Sequence, residues 1–560
     1  MAERPAAGNG TAPVLPRGIS PEAAFPTLGP RELAEFGTER ELAAGDVLFR
    51  AGDQSYDFNV ILAGEAEIVR PDRDGEVRIV AFGPGNFIGE LSLITGQRAF
   101  LTGRMLTDGR VLAVPPDEFR RLMSSKPDLA DTIFLALALR RERLRTGAGS
   151  EAIRIIGSRY SPEALALRAF ATRSRLAHTW VDLEEVDDPA VMLARDGLRP
   201  RDVPAVITPT ATLRHPSPGA FAEHLGLTFH PTPGYIFDLV VVGTGPAGLA
   251  AAVYGASEGL DTVSLDAVAS GGQAGTSTRI ENYVGFPNGI SGGDLAAKAA
   301  IQAQRLGARL NAPCEVAALR VEHGFHVVAL ADGSEIPCRA VIVASGARYR
   351  RLSVDDLERF EGNGVYYAAT DLEARVCVGR SVLVVGGGNS AGQAAVYLAQ
   401  QGCAVSLVVR RPDLSATMSR YLIERIEADP RITLLTGTEV RALAGGEHLE
   451  QTTVEHTPSG ERRTVGCAGL FCFIGAEPAS GWLGDAVALD DHGFVLTDRS
   501  LPDTVAAAFP SREPLPFETS VPGVFAVGDV RHGSMKRVAA AVGEGSSAVR
   551  SVHDHLATVA

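Results

Sequence analysis

Two glycine-rich turns in the second half of the sequence have the residue types and spacing that bind the phosphates of a dinucleotide. The first lies in DLVVVGTGPAGLAAA, where Gly243, Gly245 and Gly248 follow an apolar strand and precede a helix. In this context the glycines allow a tight turn, room for a pyrophosphate, and close packing of helix on strand. The next strand, TVSLD, ends at Asp266, whose carboxylate suits the hydroxyl groups of an adenosine ribose. We therefore expect FAD or NAD here rather than a glycine-rich turn without a ligand.

The second turn lies in SVLVVGGGNSAGQAA and differs at the end of the strand that follows it. Its candidate binding residues are Gly386, Gly388, Asn389, Ser390 and Ala391. The following strand, SLVV, leads into Arg410 and Arg411 instead of an acid. Paired guanidinium groups suit the additional 2′-phosphate of NADPH. The alternative interpretation is that the two arginines only form the solvated end of the strand. The pattern favours NADPH over NADH.

The elements that must hold these turns follow a repeated order of strand, turn, helix and strand. The order starts at Asp238 and again at Ser381, which predicts two Rossmann-like α/β dinucleotide-binding domains. Upstream, residues 40–115 alternate apolar and polar positions with regular glycines, which predicts an all-β roll. Helical periodicity between Pro115 and Arg145 completes that domain, and a small α/β module follows it. We therefore expect a multidomain protein.

The composition argues against several classes of partner and location. The 560 residues carry 67 acidic and 53 basic side chains, a formal charge of -14. This charge repels nucleic acid and anionic lipid, so neither is an expected partner. Residues 1–25 are rich in Pro, Gly and Ala without a signal-peptide core, and no later stretch has the roughly 20 apolar residues of a membrane span. We expect a flexible leader and a cytoplasmic protein without a membrane partner.

Six motifs in one order give the region from Phe237 to the C-terminus a resemblance to bacterial thioredoxin reductases. They are GTGPAG, GGQ at 271–273, ENY at 281–283, VIVASGA, GGGNSA and GVFAVGD. The resemblance implies an FAD domain split by an inserted NADPH domain, the cofactors FAD and NADPH, and a homodimer. It also implies flavin contacts from Gly272, Gln273, Asn282, Asp529, Lys536, Arg537 and Val538. Asp529 would hold the ribityl chain, and the start of the last helix would stabilise negative charge at the pyrimidine edge.

One departure from that family decides which chemistry we expect. Where the family has Cys-Ala-Thr-Cys, this sequence has AATD at 368–371, and none of its six cysteines forms a Cys-x-x-Cys pair. Cys467 and Cys472 lie in an apolar run that predicts a buried strand and inert thiols. Hydride transfer from NADPH to flavin is still expected, because it depends on positioning more than on acid–base groups. No catalytic acid or base is assigned.

The α/β module between the roll and the first glycine-rich turn resembles thioredoxin or glutaredoxin. Ser158 and Ser161 occupy the positions of the redox cysteines, and Val203-Pro204 would be the family's cis-proline. Because serine cannot form a disulfide, we expect the module to be redox-silent and to serve docking or spacing.

The N-terminal roll resembles cyclic-nucleotide-binding domains through FIGELSL followed by GQR. The resemblance implies that Glu90 accepts the ribose 2′-hydroxyl and that Arg98 neutralises the cyclic phosphate. However, Arg98 comes one residue early, and large residues follow where small ones are usual. Two interpretations of the roll are therefore open: a degenerate roll used for packing or dimerisation, and a working sensor of a cyclic nucleotide.

These patterns divide the chain into six predicted segments. They are a leader at 1–25, a cyclic-nucleotide-binding-like domain at 26–148, a thioredoxin-like module at 149–230, an FAD domain at 231–350 and 478–560, and an NADPH domain at 351–477.

Three functions are compatible with the sequence. The leading one is an FAD-dependent oxidoreductase that takes hydride from NADPH and passes electrons to an external acceptor under control of a cyclic nucleotide. The acceptor is a quinone, oxygen, a ferredoxin-like protein or a partner's disulfide. The second is a thioredoxin-disulfide reductase type of enzyme acting on a partner disulfide, and the third is a non-catalytic sensor of cyclic nucleotide and flavin.

Overall fold

The computed structural model describes residues 24–72, 75–89, 93, 97–146, 152–228, 234–277, 279–322, 324–367, 369, 371–510 and 512–559. These described residues form two compact units, one lying within residues 1–230 with 311–313 and the other within residues 231–310 with 314–560. Within the described ranges, no helix is both long enough and apolar enough to cross a membrane.

The first unit begins with a β-roll. Its strands are β1 (Thr38–Leu42), β2 (Val47–Phe49), β3 (Phe58–Ala63), β4 (Ala66–Asp72), β5 (Gly75–Phe82), β6 (Phe87–Ile88), β7 (Thr102–Met105) and β8 (Gly109–Val114). They form two four-stranded antiparallel sheets, in the orders β1-β8-β3-β6 and β2-β7-β4-β5. Buried apolar side chains such as Phe49, Ile61 and Met105 fill the space between them. Helix α1 (Pro30–Leu33) precedes the roll, and α2 (Pro116–Ser125) and α3 (Pro127–Thr146) follow it, which confirms the predicted β-roll with helices.

The small α/β module follows in the same unit. Its strands are β9 (Arg154–Gly157), β10 (Thr179–Asp182), β11 (Ala205–Ile207) and β12 (Thr212–Arg214), and its helices are α4 (Pro162–Arg173), α5 (Pro189–Arg195) and α6 (Pro218–His224). The sheet order is β10-β9-β11-β12, with β9 and β10 parallel and β11 antiparallel to both neighbours. Phe170 and Phe221 meet edge to face in its core with ring centroids 5.6 Å apart. The Val203–Pro204 peptide bond is cis, as predicted.

The second unit opens with the strands that carry the first glycine-rich turn. They are β13 (Phe237–Val242), β14 (Thr262–Leu265), β15 (Arg309–Asn311), β16 (Val316–Glu322), β17 (Phe325–Leu330) and β18 (Glu335–Val343), with helices α7 (Pro246–Ser257) and α8 (Gly292–Arg305). Strand β13 lies between β14 and β18 and is parallel to both, while β17 and β16 continue the sheet in antiparallel order. Both faces of β13 are buried almost throughout, which explains its run of valines.

A second α/β layer carries the other glycine-rich turn. Its strands are β19 (Ala347–Tyr349), β20 (Val365–Tyr366), β21 (Ser381–Val385), β22 (Ala404–Val408), β23 (Ile432–Leu435), β24 (Thr438–Ala444), β25 (Gln451–His456), β26 (Glu461–Gly466), β27 (Gly469–Cys472) and β28 (Ala476–Pro478). Its helices are α9 (Leu357–Phe360), α10 (Asp371–Cys377), α11 (Asn389–Gln400) and α12 (Arg420–Ala428). Strands β20-β27-β21-β22-β23 form a parallel sheet, β24, β25 and β26 an antiparallel one, and β19 pairs with β28.

The chain then returns to the first sheet of this unit. Strand β29 (Val524–Ala526) pairs in parallel with β18, and the last helix, α13 (Val538–Val559), packs against α7. The contact is close, because a Cβ at Gly545 would lie 2.0 Å from the carbonyl oxygen of Ala247. The second α/β layer is therefore inserted into the first, as the resemblance to thioredoxin reductases implies.

Candidate dinucleotide-binding sites

The first glycine-rich turn is built so closely that side chains are excluded from it. Gly243 follows β13 with a φ of 107°, and a Cβ there would lie 2.2 Å from the carbonyl oxygen of Ala344. A Cβ at Gly248 would lie 1.8 Å from the carbonyl oxygen of Gly243. Only glycine fits either position, so the sequence brings the start of α7 directly onto the end of β13.

The N-terminus of the helix after each turn has no side-chain cap. Ser161, Ser217 and Ser291 accept hydrogen bonds from the first turns of α4, α6 and α8. By contrast, α7 and α11 begin after Gly245 and Gly388, and neither glycine can provide a side-chain acceptor. Backbone N–H groups at the start of a helix need a partner, and an anion supplies one. The two helix ends therefore fit phosphate groups.

The second turn repeats this construction. Gly386 has a φ of 143°, and a Cβ there would lie 2.3 Å from the carbonyl oxygen of Phe473. Ala391 is fully buried where α11 meets the turn. The side-chain oxygen of Asn389 accepts a hydrogen bond from the Ser419 N–H at 2.7 Å, while Ser390 is exposed. Asn389 thereby ties α11 to the segment that precedes α12.

Asp266 makes contacts that the sequence does not reveal. One oxygen of its carboxylate accepts bonds from the N–H and the hydroxyl of Thr244, at 2.9 and 2.8 Å. The other oxygen accepts bonds from the N–H groups of Val268 and Ala269, at 3.0 and 3.1 Å. These donors use the roughly four lone pairs of a carboxylate. Asp266 therefore fixes the first turn, and a ribose hydroxyl would have to share or replace one of these bonds.

Arg410 and Arg411 lie just beyond the end of β22 and are exposed. The carbonyl oxygen of Arg411 accepts a hydrogen bond from the Gly437 N–H at 3.0 Å, which holds the segment in place. Because the strands are parallel, the carboxyl ends of β21 and β22 lie at one edge of the sheet, where nucleotides bind in such folds. The arginines and the second turn therefore share this edge.

The predicted flavin residues of the GGQ and ENY motifs have different surroundings. Gly272 approaches the first turn, since a Cβ there would lie 2.8 Å from the Cα of Gly245. The side-chain amide of Gln273 donates to the Ala347 carbonyl oxygen at 3.4 Å. Asn282 is exposed. The structure thus brings Gly272 against the first turn, while the roles of the other two residues remain predictions.

The predicted flavin residues near the C-terminus cluster around the start of α13. Asp529 follows β29 in a short turn, and burial raises its carboxyl pKa while Lys536 opposes the shift. The ammonium group of Lys536 donates to the carbonyl oxygen of Asp529 at 3.3 Å. Helix α13 begins at Val538, so Lys536 and Arg537 lie just before it, and the Arg537 carbonyl oxygen accepts a bond from the Ala541 N–H. The cluster therefore combines a carboxyl group, a cation and a helix start.

Glu544 supports this turn, although no sequence motif identifies it. Its carboxylate accepts a bond from the Gly528 N–H at 2.7 Å and pairs with the Arg531 guanidinium at 2.6 Å. Gly528 itself lies close to α7, because a Cβ there would come within 2.9 Å of the Ala247 side chain. The only sequence signal for this role is an acid on the buried side of the last helix.

All six cysteines are free thiols. Five are buried and Cys314 is half-buried. Strand β27, which ends at Cys472, is buried at every position as predicted, whereas Cys467 is buried but lies before this strand. Burial raises the pKa of Cys314, Cys377 and Cys472 to about 12. Residues 368 and 370 lie outside the described residues. The described thiols therefore lack the exposed, low-pKa setting of a reactive cysteine.

In the roll, Glu90 lies outside the described residues, but the position of Arg98 is clear. Arg98 is exposed, its backbone N–H donates to the Leu225 carbonyl oxygen at 2.9 Å, and its guanidinium lies 3.5 Å from the Gly52 carbonyl oxygen. The next residue, Ala99, is buried in the apolar core. The structure thus places the Arg98 side chain at the surface, beside the α/β module of the same unit.

In the α/β module, the two serines that replace cysteines have structural contacts. The Ser158 hydroxyl donates to the Glu184 carboxylate at 2.6 Å, and Ser161 caps α4. Neither contact provides a redox function.

The second unit has two Rossmann-like layers, one inserted into the other. Each layer has a glycine-rich turn that leads into a helix without a side-chain cap. This combination defines a pyridine nucleotide-dependent flavoprotein oxidoreductase. The chain belongs to the pyridine nucleotide-disulphide oxidoreductase family, whose family model matches residues 237–545, and within it the chain is thioredoxin reductase-like. The cyclic nucleotide-binding domain matches residues 39–126. The chain is therefore an enzyme of NAD(P)H-dependent flavoprotein type with a cyclic nucleotide-binding domain, rather than a non-catalytic sensor.

Known proteins similar to this chain include several thioredoxin reductases. The protein from Streptomyces clavuligerus is 32% identical over 324 residues, which cover 58% of this chain and 95% of that protein. The one from Mycolicibacterium smegmatis is 33% identical over 318 residues, covering 56% and 94%. Among solved structures, Lactococcus lactis thioredoxin reductase in its FR conformation has a TM-score of 0.52 at 26% identity and covers 57% of this chain and 99% of its own. That of T. acidophilum has a TM-score of 0.52 at 27% identity and covers 58% and 99%.

The family uses FAD and NADPH, and the residues present fit both cofactors. Each turn has glycines at which a Cβ would clash with neighbouring backbone atoms. Each turn is also followed by a helix whose first N–H groups lack a side-chain cap. The second turn also shares its sheet edge with two exposed arginines, whose positive charge is complementary to the negative 2′-phosphate.

Proposed function

We propose that this chain is an NADPH-dependent flavoprotein oxidoreductase that passes electrons directly to an acceptor outside the chain. One observation supports this most strongly. Residues 365–371 follow Gly364 where the family has its dithiol, and they include no cysteine, because all six free thiols lie elsewhere in the chain. Burial keeps Cys377 and Cys472 protonated near neutral pH, so neither replaces the missing pair. Electrons that arrive from NADPH therefore need an external acceptor.

The chain's own residues position the two nucleotides. Bound FAD supplies the chemistry of accepting a hydride from NADPH. Gly243, Gly245, Gly248 and the start of α7 hold the FAD phosphates, and Asp266 keeps that turn in place. Further flavin contacts come from Gly272, Gln273, Asn282, Asp529, Lys536, Arg537 and Val538. NADPH is held by Gly386, Gly388, Asn389, Ser390 and Ala391, with Arg410 and Arg411 at the 2′-phosphate.

Anaerobic titration of the FAD-loaded protein with NADPH tests this proposal. One equivalent of NADPH should bleach the flavin absorbance without any added thiol, and oxygen, menadione or ferricyanide should then restore it. A protein that takes up no FAD, or whose flavin NADPH does not bleach, contradicts the proposal. Thiol alkylation before the titration is the control, because it should change neither step.

A partner disulfide is the second candidate acceptor, since the similar proteins are thioredoxin reductases. In this chain the partner's sulfurs would have to meet the flavin directly. Turnover with oxidised thioredoxin that is faster than turnover with every small acceptor would favour this candidate. Slow turnover with thioredoxin but fast turnover with a small acceptor would exclude it.

We also propose that a cyclic nucleotide regulates the enzyme through the N-terminal roll. The match to a cyclic nucleotide-binding domain supports binding, and the contact of Arg98 with Leu225 would link the roll to the α/β module. Cyclic AMP or GMP should bind the full chain and change its NADPH oxidation rate, and Arg98→Ala should weaken that binding about tenfold. Calorimetry that detects neither nucleotide would instead support a roll used for packing.

A further inference from the structure

We propose that a cavity between the GGQ loop and the segment that replaces the dithiol is the electron-acceptor site, and that it takes an uncharged small quinone. This inference rests on the proposed function and names the acceptor. The cavity has a volume of about 450 Å³. Its walls include Thr276, Arg351, Glu361, Tyr366, Tyr367 and Glu373.

The cavity adjoins a residue predicted to contact the flavin. The Thr276 hydroxyl donates to the carbonyl oxygen of Gln273 at 2.8 Å, within the short helix that follows the GGQ motif. The lining also includes Tyr366 and Tyr367, which directly follow Val365 in the segment where the family continues into its dithiol. The chain thus has a cavity bordered by aromatic residues next to its missing cysteines.

The volume of the cavity is that of a small-molecule site. Such sites have volumes of roughly 300–1,000 Å³, and this cavity opens to solvent, so that a small acceptor can enter it directly. A two-ring quinone is of suitable size for a cavity of about 450 Å³. We therefore infer that the acceptor binds within the cavity.

The aromatic part of the lining fits a flat ring. The Tyr366 ring packs against Phe471 with centroids 5.1 Å apart, and Tyr367 packs against the neighbouring core cluster. Both tyrosines therefore have a supported ring position, and aromatic rings bind other flat rings by offset or edge contacts. Burial raises the pKa of both phenols, so each keeps its proton near neutral pH.

The charged part of the lining does not select an anion. Glu361 accepts a bond from the Tyr367 hydroxyl at 2.6 Å and pairs with Arg351 at 2.9 Å. Arg351 also pairs with Glu358 at 3.2 Å, outside the lining. Glu373 is the second carboxylate of the lining, and Arg380 acts electrostatically on Tyr366, so the cavity has no excess of positive charge that would select an anionic acceptor such as glutathione disulfide over a neutral quinone.

The reaction balances with reactants that the proposed function supplies. NADPH provides two electrons and one proton as its C4–H bond breaks, and water provides the second proton. The quinone gains two electrons and forms two O–H bonds, which makes the hydroquinone and NADP⁺. No thiol is consumed or formed.

The test compares acceptors on the FAD-loaded full chain and on Tyr367→Leu. Menadione is the neutral quinone, and ferricyanide is the control acceptor, since it takes electrons without an enclosed site. Tyr367→Leu should raise the KM for menadione at least fivefold and weaken menadione binding to the oxidised protein, measured by spectral titration without NADPH. The KM for NADPH and the ferricyanide rate should change less than twofold. Tyr421→Leu is the matched control, because Tyr421 is an exposed tyrosine on α12, and it should change none of these values.

Charge selectivity provides a second, independent measurement. Wild type should prefer menadione to 1,4-naphthoquinone-2-sulfonate by at least tenfold in kcat/KM, and Glu373→Gln should reduce that preference severalfold. The proposal is overturned if Tyr367→Leu raises the KM for NADPH instead, which would place the nicotinamide in the cavity, or if neither variant alters quinone kinetics. Failure of the proposed function looks different, because wild-type flavin would then neither bleach with NADPH nor pass electrons to ferricyanide.

Discussion

The carboxylate of Asp266 accepts hydrogen bonds from both the backbone N–H and the hydroxyl of Thr244. This pair connects the end of β14 to the first glycine-rich turn, 22 residues earlier in the chain. The side chain predicted to bind ribose thus also fixes the loop that binds phosphate. Turn geometry and nucleotide affinity should therefore depend on the same carboxylate.

Replacing Thr244 by Val should weaken FAD binding about tenfold. The substitution keeps the buried shape but removes a hydroxyl bond to a charged group, which is worth roughly 1.5 kcal/mol. FAD affinity is measured by titrating the flavin-free protein and following fluorescence quenching. Thr262→Val is the control, because it removes a buried hydroxyl in the adjacent strand, whose partner is the Leu260 carbonyl oxygen. Equal losses in both variants would show that the Thr244 bond has no special role at the turn.

Replacing Arg410 and Arg411 by Ala should raise the KM for NADPH by roughly tenfold or more and leave the KM for NADH unchanged within twofold. Each guanidinium contributes a charge-assisted bond to a 2′-phosphate, and NADH has no such group. Steady-state rates with ferricyanide measure both constants. Arg420→Ala is the control, since that arginine is exposed and pairs with Glu424. Equal increases for the two nucleotides would remove the basis for naming NADPH.

Stability should fall in mild acid because of His326. Burial lowers the pKa of His326 to about 4, the nearby His555 adds to the shift, and Glu518 opposes it. The unfolded side chain has a pKa of about 6.5. Its contribution to stability is therefore complete above about pH 6.5 and is lost as the pH falls toward 4, with a loss of about 2 kcal/mol at pH 5.

Urea unfolding at pH 7.5 and pH 5.0 measures this loss. His326→Gln should unfold with a smaller difference between the two pH values than wild type. His492→Gln, at an exposed histidine, should keep the wild-type difference. An unchanged difference in His326→Gln would mean that other groups cause the pH dependence.

Iodoacetamide at pH 7.5 should neither label the folded protein rapidly nor inhibit its NADPH–ferricyanide activity. Alkylation requires a thiolate, and burial holds the pKa of Cys377 and Cys472 at about 12. Mass spectrometry and activity are followed together. Denatured protein is the control, in which all six thiols should react. Inhibition that parallels the labelling of one cysteine would show that a thiol takes part in the reaction.

Much of this protein could be predicted from local patterns. The glycine spacing identified both turns, and the apolar run around Cys472 identified a buried strand. The resemblance placed Lys536, Arg537 and Val538 at the opening of the last helix, which starts at Val538. These features depend on neighbouring residues, because a turn needs glycine where a Cβ has no room and a buried strand needs apolar side chains. The bounds within each unit and the roles of individual site residues remain predictions.

The sequence by itself determined the two nucleotide-binding folds, the roll and the loss of the dithiol, since each depends on the types of residues that are close together in the chain. Only the tertiary structure decided that Asp266 holds Thr244, that Glu544 supports Gly528, and that Arg98 lies at the surface beside Leu225. It also brought Thr276 to the same cavity as Tyr367. Such contacts join residues that are far apart in the chain, and their geometry depends on how strands and helices pack, which local spacing does not specify.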